Sequence, residues 1–384
     1  MIQLQSITSF FQMHGSLRKS QRTTLAALVW AVVQFPLLGS AIIGRHLAMA
    51  DEVTTTAKHA IKRVDRFLGN PRIDIVRAQG DLITYLLADA PEALLTLDWT
   101  DPRDGVHQIL SLNWRAHGRA IPLGWVTARK DSLKDRMRAI ELALCQRVAQ
   151  FIPPTCHPIL LADRGFAAVE LFRALDTLGW DWVIRTKGSV WVQSDGRWRP
   201  LYGYALERPV LKELPAVRYG RRYGKDAYPC RVIVYAEPGY PDPWDLVVSA
   251  GLKNWEPGRL VAAYGQRFTT EECFKDQKND QYEGFHLDAV SLSTPERWDR
   301  MLLVFAWAYY WLNVAGWVME TAGKAREWRA NTVTAYRTHA LWRLGHWGLA
   351  HHDVVWRTLL RAVRDFRLRI PPLPICSVTA TAGP

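Results

Sequence analysis

Between residues 94 and 185 the spacing of apolar residues switches from the period of two that is typical of strands to the helical period of 3.6, and back again. Three apolar segments come first, separated by the turn signals Asp104-Gly105 and His117-Gly118. The predicted strands are 94–100, 106–114, 120–129, 158–163 and 180–185, and the predicted helices are 132–151 and 167–178. This order of elements predicts an α/β domain.

Four polar residues stand at fixed gaps in the segment YGQRFTTEECFKDQK: Tyr264, Arg267, Glu271 and Lys278. On one α-helix, offsets of 0, 3, 7 and 14 residues fall within roughly 60° of one another, so the four side chains would form one stripe. Glu272 would point about 100° away from Glu271. The stripe suits a polyanion held beside a metal-binding carboxylate, or else a solvated helix face with pairs such as Arg267–Glu271.

The spacing of these residues resembles the Tyr-x2-Arg-x3-Glu-x6-Lys signature of the insertion-sequence family 4 transposases, a branch of the DDE transposases. Two upstream motifs extend the resemblance. The Asp-Trp-Thr sequence at 98–100 is similar to the family's Asp-x-Thr, and Asp-Arg-Gly-Phe at 163–166 is similar to its second aspartate motif. The resemblance covers roughly residues 91–320 and implies an RNase H-like core, a mixed sheet with helices in which the strands that end at Asp98 and Asp163 lie side by side.

The choice of the first aspartate is not unique. Asp101 and Asp104 follow within six residues, but Asp98 directly ends the apolar run. An aspartate after a buried strand can also be a turn residue or a helix N-cap, and this alternative applies to both Asp98 and Asp163.

The resemblance assigns catalysis and metal binding to Asp98, Asp163 and Glu271. Three carboxylates brought together repel one another unless cations lie among them. The expected cofactor is Mg²⁺, as two ions about 4 Å apart that activate an attacking oxygen and stabilise a leaving one, with Mn²⁺ as a substitute.

The implied reaction is cleavage of transposon ends by activated water, followed by attack of the freed 3′-OH on target DNA. In one variant of this route the 3′-OH first forms a hairpin at its own end. Trp244 is the expected platform for a flipped base, with Trp191 and Trp198 as alternatives; a core position is the other explanation for Trp244 and for Tyr264. The other expected DNA contacts are Tyr264, Arg267, Lys278, Arg164, Arg185 and Lys187.

The charge of the chain favours a polyanionic partner. Lysine and arginine number 49 against 37 aspartates and glutamates, which gives a formal charge of +12. The expected partners are transposon-end DNA and target DNA, bound by a homodimer in the DNA complex. Two other functions stay open: a structure-selective nuclease that cuts without strand transfer, and a DNA-binding protein, descended from a transposase, that no longer cuts.

Other regions surround the α/β segment. Residues 186–250 hold many β-formers and recurrent glycines, which predicts a β-rich insertion, whereas 1–85 and 326–370 have helical periodicity with basic faces. The predicted domains are a helical DNA-end-binding region at 1–88, a first core part at 89–185, the insertion at 186–244, a second core part at 245–325 and a basic helical C-terminal region at 326–384.

Two apolar runs, 24–44 and 301–319, have the length of a membrane span. The first contains Gln34 and Pro36 and the second contains Asn313, which favours buried core helices. The five cysteines are scattered and lack the spacing of a metal site or a disulfide framework. These features predict a bacterial cytoplasmic, nucleoid-associated protein without membrane association.

Overall fold

A computed structural model of the chain describes residues 4–49, 55–204, 210–220, 227–236, 242–278, 284–329, 332 and 337–373. Within these residues, ten strands form one mixed sheet. They are β1 (Glu92–Thr100), β2 (His107–Ala116), β3 (Arg119–Arg129), β4 (His157–Ala162), β5 (Asp181–Thr186), β6 (Trp191–Ser194), β7 (Arg197–Pro200), β8 (Val210–Tyr219), β9 (Tyr228–Ala236) and β10 (Trp244–Val248). Their order across the sheet is β3-β2-β1-β4-β5-β10-β9-β8-β6-β7.

The first five strands confirm the predicted fold class. β1 pairs antiparallel with β2 and parallel with β4, and β4 pairs parallel with β5. In chain order, α6 (Met137–Ala149) stands between β3 and β4, and α7 (Val169–Thr177) stands between β4 and β5. The fold is therefore mixed α/β with the element order of an RNase H-like core.

Both faces of the central strands are covered, which explains their nearly continuous apolar sequences. Successive residues of β1 face two different hydrophobic clusters, and every residue of β4 after the first is buried. The register pairs Leu97 of β1 with Ala162 of β4. Because the two strands are parallel, the residues that follow this pair, Asp98 and Asp163, come to the same end of the sheet.

The strands of the β-rich segment continue the core sheet. β10 pairs antiparallel with β5 on one side and with β9 on the other, and β8 extends the sheet beyond β9. Trp244 is the first residue of β10 and pairs with Tyr235 of β9. The segment is thus hydrogen-bonded to the core along β10, and Trp244 stands where the chain enters this strand.

Five helices precede the sheet: α1 (Leu4–His14), α2 (Lys19–Gln34), α3 (Ser40–Met49), α4 (Ala57–Leu68) and α5 (Ile75–Leu87). The apolar run 24–44 lies mostly in the core, but two helices share it. Phe35 has an extended backbone because it precedes Pro36, and α2 therefore ends at Gln34.

The helix predicted from residue 132 begins five residues later than expected. Residues 130–132 form a 3-10 turn, and α6 starts at Met137. Asp135, between them, has a positive φ of 59°, a left-handed conformation that a continuous α-helix does not accommodate.

The polar stripe does not lie on one helix, contrary to the prediction. α8 (Pro257–Gly265) ends at a 3-10 turn, Gln266–Phe268, and α9 (Thr269–Lys278) begins after it. The hydroxyl of Thr269 donates to the carbonyl of Gln266 at 2.7 Å, a local bond that competes with α-helical geometry.

The longest helix of the described residues, α10 (Pro295–Thr321), lies in the core. Its length and composition would suit a membrane span, but 94% of its most apolar window is buried within the fold. α10 packs against α2, α4, α5, β3 and the C-terminal helices α11 (Leu341–His351) and α12 (Asp353–Leu368). The run 301–319 is therefore a core helix, as its sequence predicts.

Candidate active site at the ends of strands β1 and β4

Asp98 lies on β1, two residues before the end of the strand. Its Oδ1 accepts the backbone N–H of Trp99 at 2.8 Å, and its Oδ2 lies 3.4 Å from Nη1 of Arg267. The side chain is one-fifth exposed, so the carboxylate is partly removed from water.

Asp163 directly follows β4 and holds a turn. Its Oδ1 accepts the N–H of Gly165 at 2.8 Å, and its carbonyl accepts the N–H of Phe166 at 3.1 Å. A Cβ at position 165 would lie 3.1 Å from Oδ1, so glycine leaves room for the carboxylate. Asp163 is therefore a turn residue, as one of the two interpretations of the sequence has it. The hydrogen bonds of the turn also fix the orientation of its carboxylate.

Glu271 and Glu272 have different surroundings. Glu271 Oε1 accepts from Nη2 of Arg267 at 2.7 Å, on the side of α9 that faces Asp98. Glu272 pairs with Arg119 at 3.4 Å and with Lys275 at 2.8 Å. Of the two, Glu271 is the one whose partner also contacts Asp98.

A buried hydroxyl pair holds α9 against β1. Thr270 Oγ1 donates to Thr96 Oγ1 at 2.5 Å, and neither residue is exposed to solvent. Thr96 is two residues before Asp98 and Thr270 is one before Glu271. This contact therefore fixes the position of α9, and with it Glu271, along β1.

Arg267 bridges two of the three acids. It is 8% exposed, and its guanidinium contacts Asp98 through Nη1 and Glu271 through Nη2. Burial lowers the pKa of Arg267, but Tyr264, Glu271 and Asp98 outweigh burial and raise it, so the guanidinium stays charged. It supplies positive charge between Asp98 and Glu271.

The pKa of Asp98 reflects its burial and its charged neighbours. Burial raises the pKa of Asp98 to about 6; the Arg267 guanidinium opposes this rise, and the charges of Asp163 and Glu271 add to it. Like charges influence one another in this way only at short range or in a poorly screened site.

Lys278 and Tyr264, the outer members of the predicted stripe, are held inside the site. Lys278 Nζ donates to Thr100 Oγ1 at 2.5 Å, and burial lowers the pKa of Lys278 to about 8. Tyr264 is 1% exposed and packs edge-to-face on Trp244, with ring centroids 5.0 Å apart. In this conformation Tyr264 is a core residue, whereas the role of Lys278 toward DNA stays a prediction.

Trp244 lies half-buried among aromatic side chains. Its ring centroid is 5.7 Å from that of Tyr235 and 6.0 Å from that of Phe268. Phe268 is 41% exposed although it stands next to the buried Arg267. Phe268 is not among the DNA contacts predicted from the sequence, and its one signal there is its place beside Arg267 within the stripe segment.

The remaining predicted DNA contacts differ in exposure. Arg164 and Lys187 are exposed, next to Asp163 and at the end of β5 respectively. Arg185 is half-buried, and its Nη2 donates to the carbonyl of Pro243 at 3.1 Å, next to Trp244. Trp191 and Trp198, the alternatives to Trp244, are half-buried on β6 and β7.

In the part of the chain that the structure describes, no group of three or more histidine, cysteine, aspartate and glutamate side chains is gathered closely enough to hold a metal ion. The donor set is nevertheless one that a hard divalent cation prefers, namely carboxylate oxygens from two strand ends and a helix. The charges of these carboxylates already interact at Asp98. The residues therefore fit a magnesium-type ion in their chemistry.

Comparison with known proteins agrees with this geometry. Residues 135–311, somewhat less than half of the chain, match the family model of a transposase DDE domain. The matched segment includes Asp163 and Glu271. Asp98 precedes the segment, and the pairing of β1 with β4 brings it to the same end of the sheet as Asp163. No curated protein matches the chain significantly. The match supports a DDE transposase with an RNase H-like core.

Proposed function

We propose that this protein is the transposase of a bacterial insertion sequence, of the insertion-sequence family 4 type, which cleaves transposon ends and joins the freed 3′-OH to target DNA. The proposal is carried by two observations: Asp98 and Asp163 stand at the same end of the β1–β4 pair, and Arg267 contacts both Asp98 and Glu271. Asp163 and Glu271 also lie inside a segment similar to a transposase DDE domain.

In this proposal, Asp98, Asp163 and Glu271 would hold Mg²⁺ ions, or Mn²⁺ as a substitute. Bound there, such ions would supply activation of an attacking oxygen and charge stabilisation at the leaving oxygen of a phosphodiester. The chain itself supplies orientation. Backbone N–H groups fix both aspartates, and the Thr270–Thr96 contact fixes α9.

Positive side chains around the acids would position DNA. Arg267 now neutralises two carboxylates that bound cations would also neutralise, so cation binding favours the release of its guanidinium toward a phosphate. Lys278 and the exposed Arg164 and Lys187 surround the same end of the sheet and are proposed as further phosphate contacts.

The wider assembly is also part of the proposal. Exposed Lys58, Lys62 and Arg66 form a basic face on α4, which supports a DNA-end-binding role for the helical region at 1–88. We propose a homodimer in the DNA complex and a place on the nucleoid in the cytoplasm, in keeping with the net charge of +12.

The test is a Mg²⁺-dependent assay with the purified chain and a DNA fragment that carries the ends of its own element. Nicking at the ends followed by joining to a second DNA supports the transposase. Nicking without joining would indicate a structure-selective nuclease, and retention of the DNA without cleavage would indicate a binding protein that no longer cuts. Asp163→Asn is the control: it should bind ends almost as well as the wild type but not cut them.

A further inference from the structure

A buried acid on α6 connects the two strand ends that carry Asp98 and Asp163. Glu141 is 4% exposed, and both of its carboxylate oxygens accept hydrogen bonds. Oε1 accepts from the indole N–H of Trp99 at 2.9 Å. Trp99 in turn donates its backbone N–H to Asp98, so Glu141 holds the residue that orients the first aspartate.

The connection to the second aspartate passes through Arg138. Glu141 Oε2 accepts from Nη1 of Arg138 at 2.5 Å, and Nη2 of Arg138 donates to the carbonyl of Gly165 at 3.3 Å. The N–H of Gly165 donates to Oδ1 of Asp163. One side chain of α6 is therefore linked, through one neighbour on each side, to the peptide groups that fix both carboxylates.

Burial disfavours the charged form of the Glu141 carboxylate, and its hydrogen-bond partners offset this effect. Burial raises its pKa; the hydrogen bond from Trp99 and the charge of Arg138 oppose the rise, and the charge of Asp163 adds to it. Removing a partner of such a buried group leaves a polar atom without a hydrogen bond, so the whole arrangement resists local distortion.

We infer that Glu141 is a positioning residue of the candidate active site, which sets the separation of Asp98 and Asp163 by holding Trp99 and Arg138. The inference rests on the proposed function, since it concerns the cations that the two aspartates would share. Both carboxylate oxygens of Glu141 accept hydrogen bonds from side chains that support the aspartates. Its loss should therefore weaken cation binding by disturbing the ligands.

The test measures Mn²⁺ binding to the full chain without DNA, by the decrease of the free Mn²⁺ signal in electron paramagnetic resonance. Glu141→Ala should weaken Mn²⁺ affinity by about ten-fold, the size seen when the supporting partner of a metal ligand is removed. Gln146→Ala, which changes an exposed side chain of the same helix, should leave the affinity unchanged. Asp163→Asn should abolish binding.

Two further variants protect the test against a folding defect. Trp99→Phe removes the indole donor and Arg138→Ala removes the guanidinium, and each should lower Mn²⁺ affinity in part. Because Glu141 and Arg138 act on Gly165 through the same chain of contacts, the double variant should be scarcely weaker than Glu141→Ala alone. Thermal unfolding of each variant without Mn²⁺ separates a loss of affinity from a loss of fold.

The possible outcomes distinguish this inference from the function on which it rests. Wild-type affinity in folded Trp99→Phe, Arg138→Ala and Glu141→Ala, with binding lost in Asp163→Asn, overturns the positioning role and leaves the proposed function intact. If Glu141→Ala does not fold, unchanged affinity in the other two variants likewise overturns the positioning role. Unchanged binding in Asp163→Asn would overturn both, because the aspartates would then not form the cation site.

Discussion

Glu271 and Glu272 are neighbours in sequence but have different partners in space. Glu271 shares Arg267 with Asp98, whereas Glu272 pairs with Arg119 and Lys275. We expect Glu271→Ala to abolish Mg²⁺-dependent nicking of transposon ends, because it removes a proposed cation ligand. Glu272→Ala should keep most of the activity, because a partly exposed ion pair contributes only about 0–1 kcal/mol to stability.

Nicking rates and thermal unfolding of both glutamate variants check this prediction. An inactive but folded Glu272→Ala beside an active Glu271→Ala would show that the wrong acid is assigned to the site.

Arg267 and Lys278 lead to a prediction about salt. If each binds one phosphate, replacing either with alanine should weaken binding to DNA ends and reduce the slope of log K against log salt by about one. Titrations of end DNA between about 50 and 200 mM salt measure the slope. Over this range, proteins that contact several phosphates typically lose about 10³-fold in DNA affinity. A slope equal to that of the wild type would place the side chain away from DNA.

The pKa of Lys278 adds a pH test to the salt test. Burial lowers this pKa to about 8, so the free protein loses the ammonium charge as the pH rises through that value. The contribution of Lys278 to DNA binding should therefore be larger at pH 7 than at pH 9, and Lys278→Ala should show a flatter dependence over this range.

Trp244 offers a test that separates stacking from packing. Its ring is half-buried beside Tyr264 and the exposed Phe268, and the exposed part is the proposed contact for a base. We expect Trp244→Ala to nick ends but to form hairpins poorly, because stacking of a base on an aromatic ring contributes about 1–3 kcal/mol. A fluorescent 2-aminopurine beside the cleavage site measures unstacking directly. Normal hairpin formation and an unaltered signal in a folded variant would exclude Trp244 as the platform.

The sequence predicts these side chains to different degrees. Asp98 and Asp163 can be predicted because each follows an apolar run that must be a strand, and parallel neighbours align their ends. Glu271 can be singled out by the spacing of the stripe residues, although the single helix assumed for that stripe is interrupted by the 3-10 turn Gln266–Phe268. The bridging position of Arg267 and the role of Glu141 cannot, because both depend on how an element packs, and a helical period shows only which face is apolar.

At the scale of elements, α10 and α11 cross at unusually short range. A Cβ at Gly345 of α11 would lie 1.9 Å from the carbonyl oxygen of Leu312, and a Cβ at Gly316 of α10 would lie 1.9 Å from that of Leu341. We expect Gly345→Ala to lower the free energy of unfolding by about 1–3 kcal/mol or more, because the helices must move apart. Gly203→Ala, at a position with open space and no positive φ, is the matched control.

Urea unfolding of the two glycine variants tests the crossing. Equal stability of Gly345→Ala and Gly203→Ala would show that α10 and α11 do not approach so closely.

The two elements that differ from expectation do so for local reasons. Helical periodicity extends back to residue 132. However, the left-handed conformation of Asp135 and the 3-10 turn at 130–132 shift the start of α6 to Met137. The stripe segment is helical in pattern, yet the Thr269–Gln266 bond divides it into α8 and α9. A side chain that bonds to the backbone three residues earlier is not visible in a pattern of apolar residues.

At the scale of the whole molecule, stability should depend on pH through Asp299 of α10. This carboxylate is buried and accepts the N–H of Thr127 at 2.9 Å; burial raises its pKa to about 7, and the bonds from Thr127 oppose the rise. From about pH 4 to 7 the folded chain keeps a proton that the unfolded chain has released, so stability falls as pH rises. Asp299→Asn cannot ionise, and its oxygen can still accept from Thr127.

Urea unfolding at pH 5 and pH 8 measures this effect. We compare the free energy of unfolding of Asp299→Asn with that of the wild type. Their difference should shift in favour of the variant by at least about 1 kcal/mol between pH 5 and pH 8, since one unit of pKa shift corresponds to about 1.4 kcal/mol. Asp98 and Asp245, whose pKa values burial also raises to about 6, titrate in both proteins and cancel in the difference. A difference that does not change with pH would contradict the prediction.

The position of α10 in the chain governs when the molecule can acquire its fold during synthesis. α2, α4, α5 and β3 all emerge from the ribosome before residue 295, yet each packs against α10. Until that helix follows them, these elements lack the one element against which all of them pack. A nascent chain therefore completes its core only after α10 has been synthesised, when its elements can condense around that helix together.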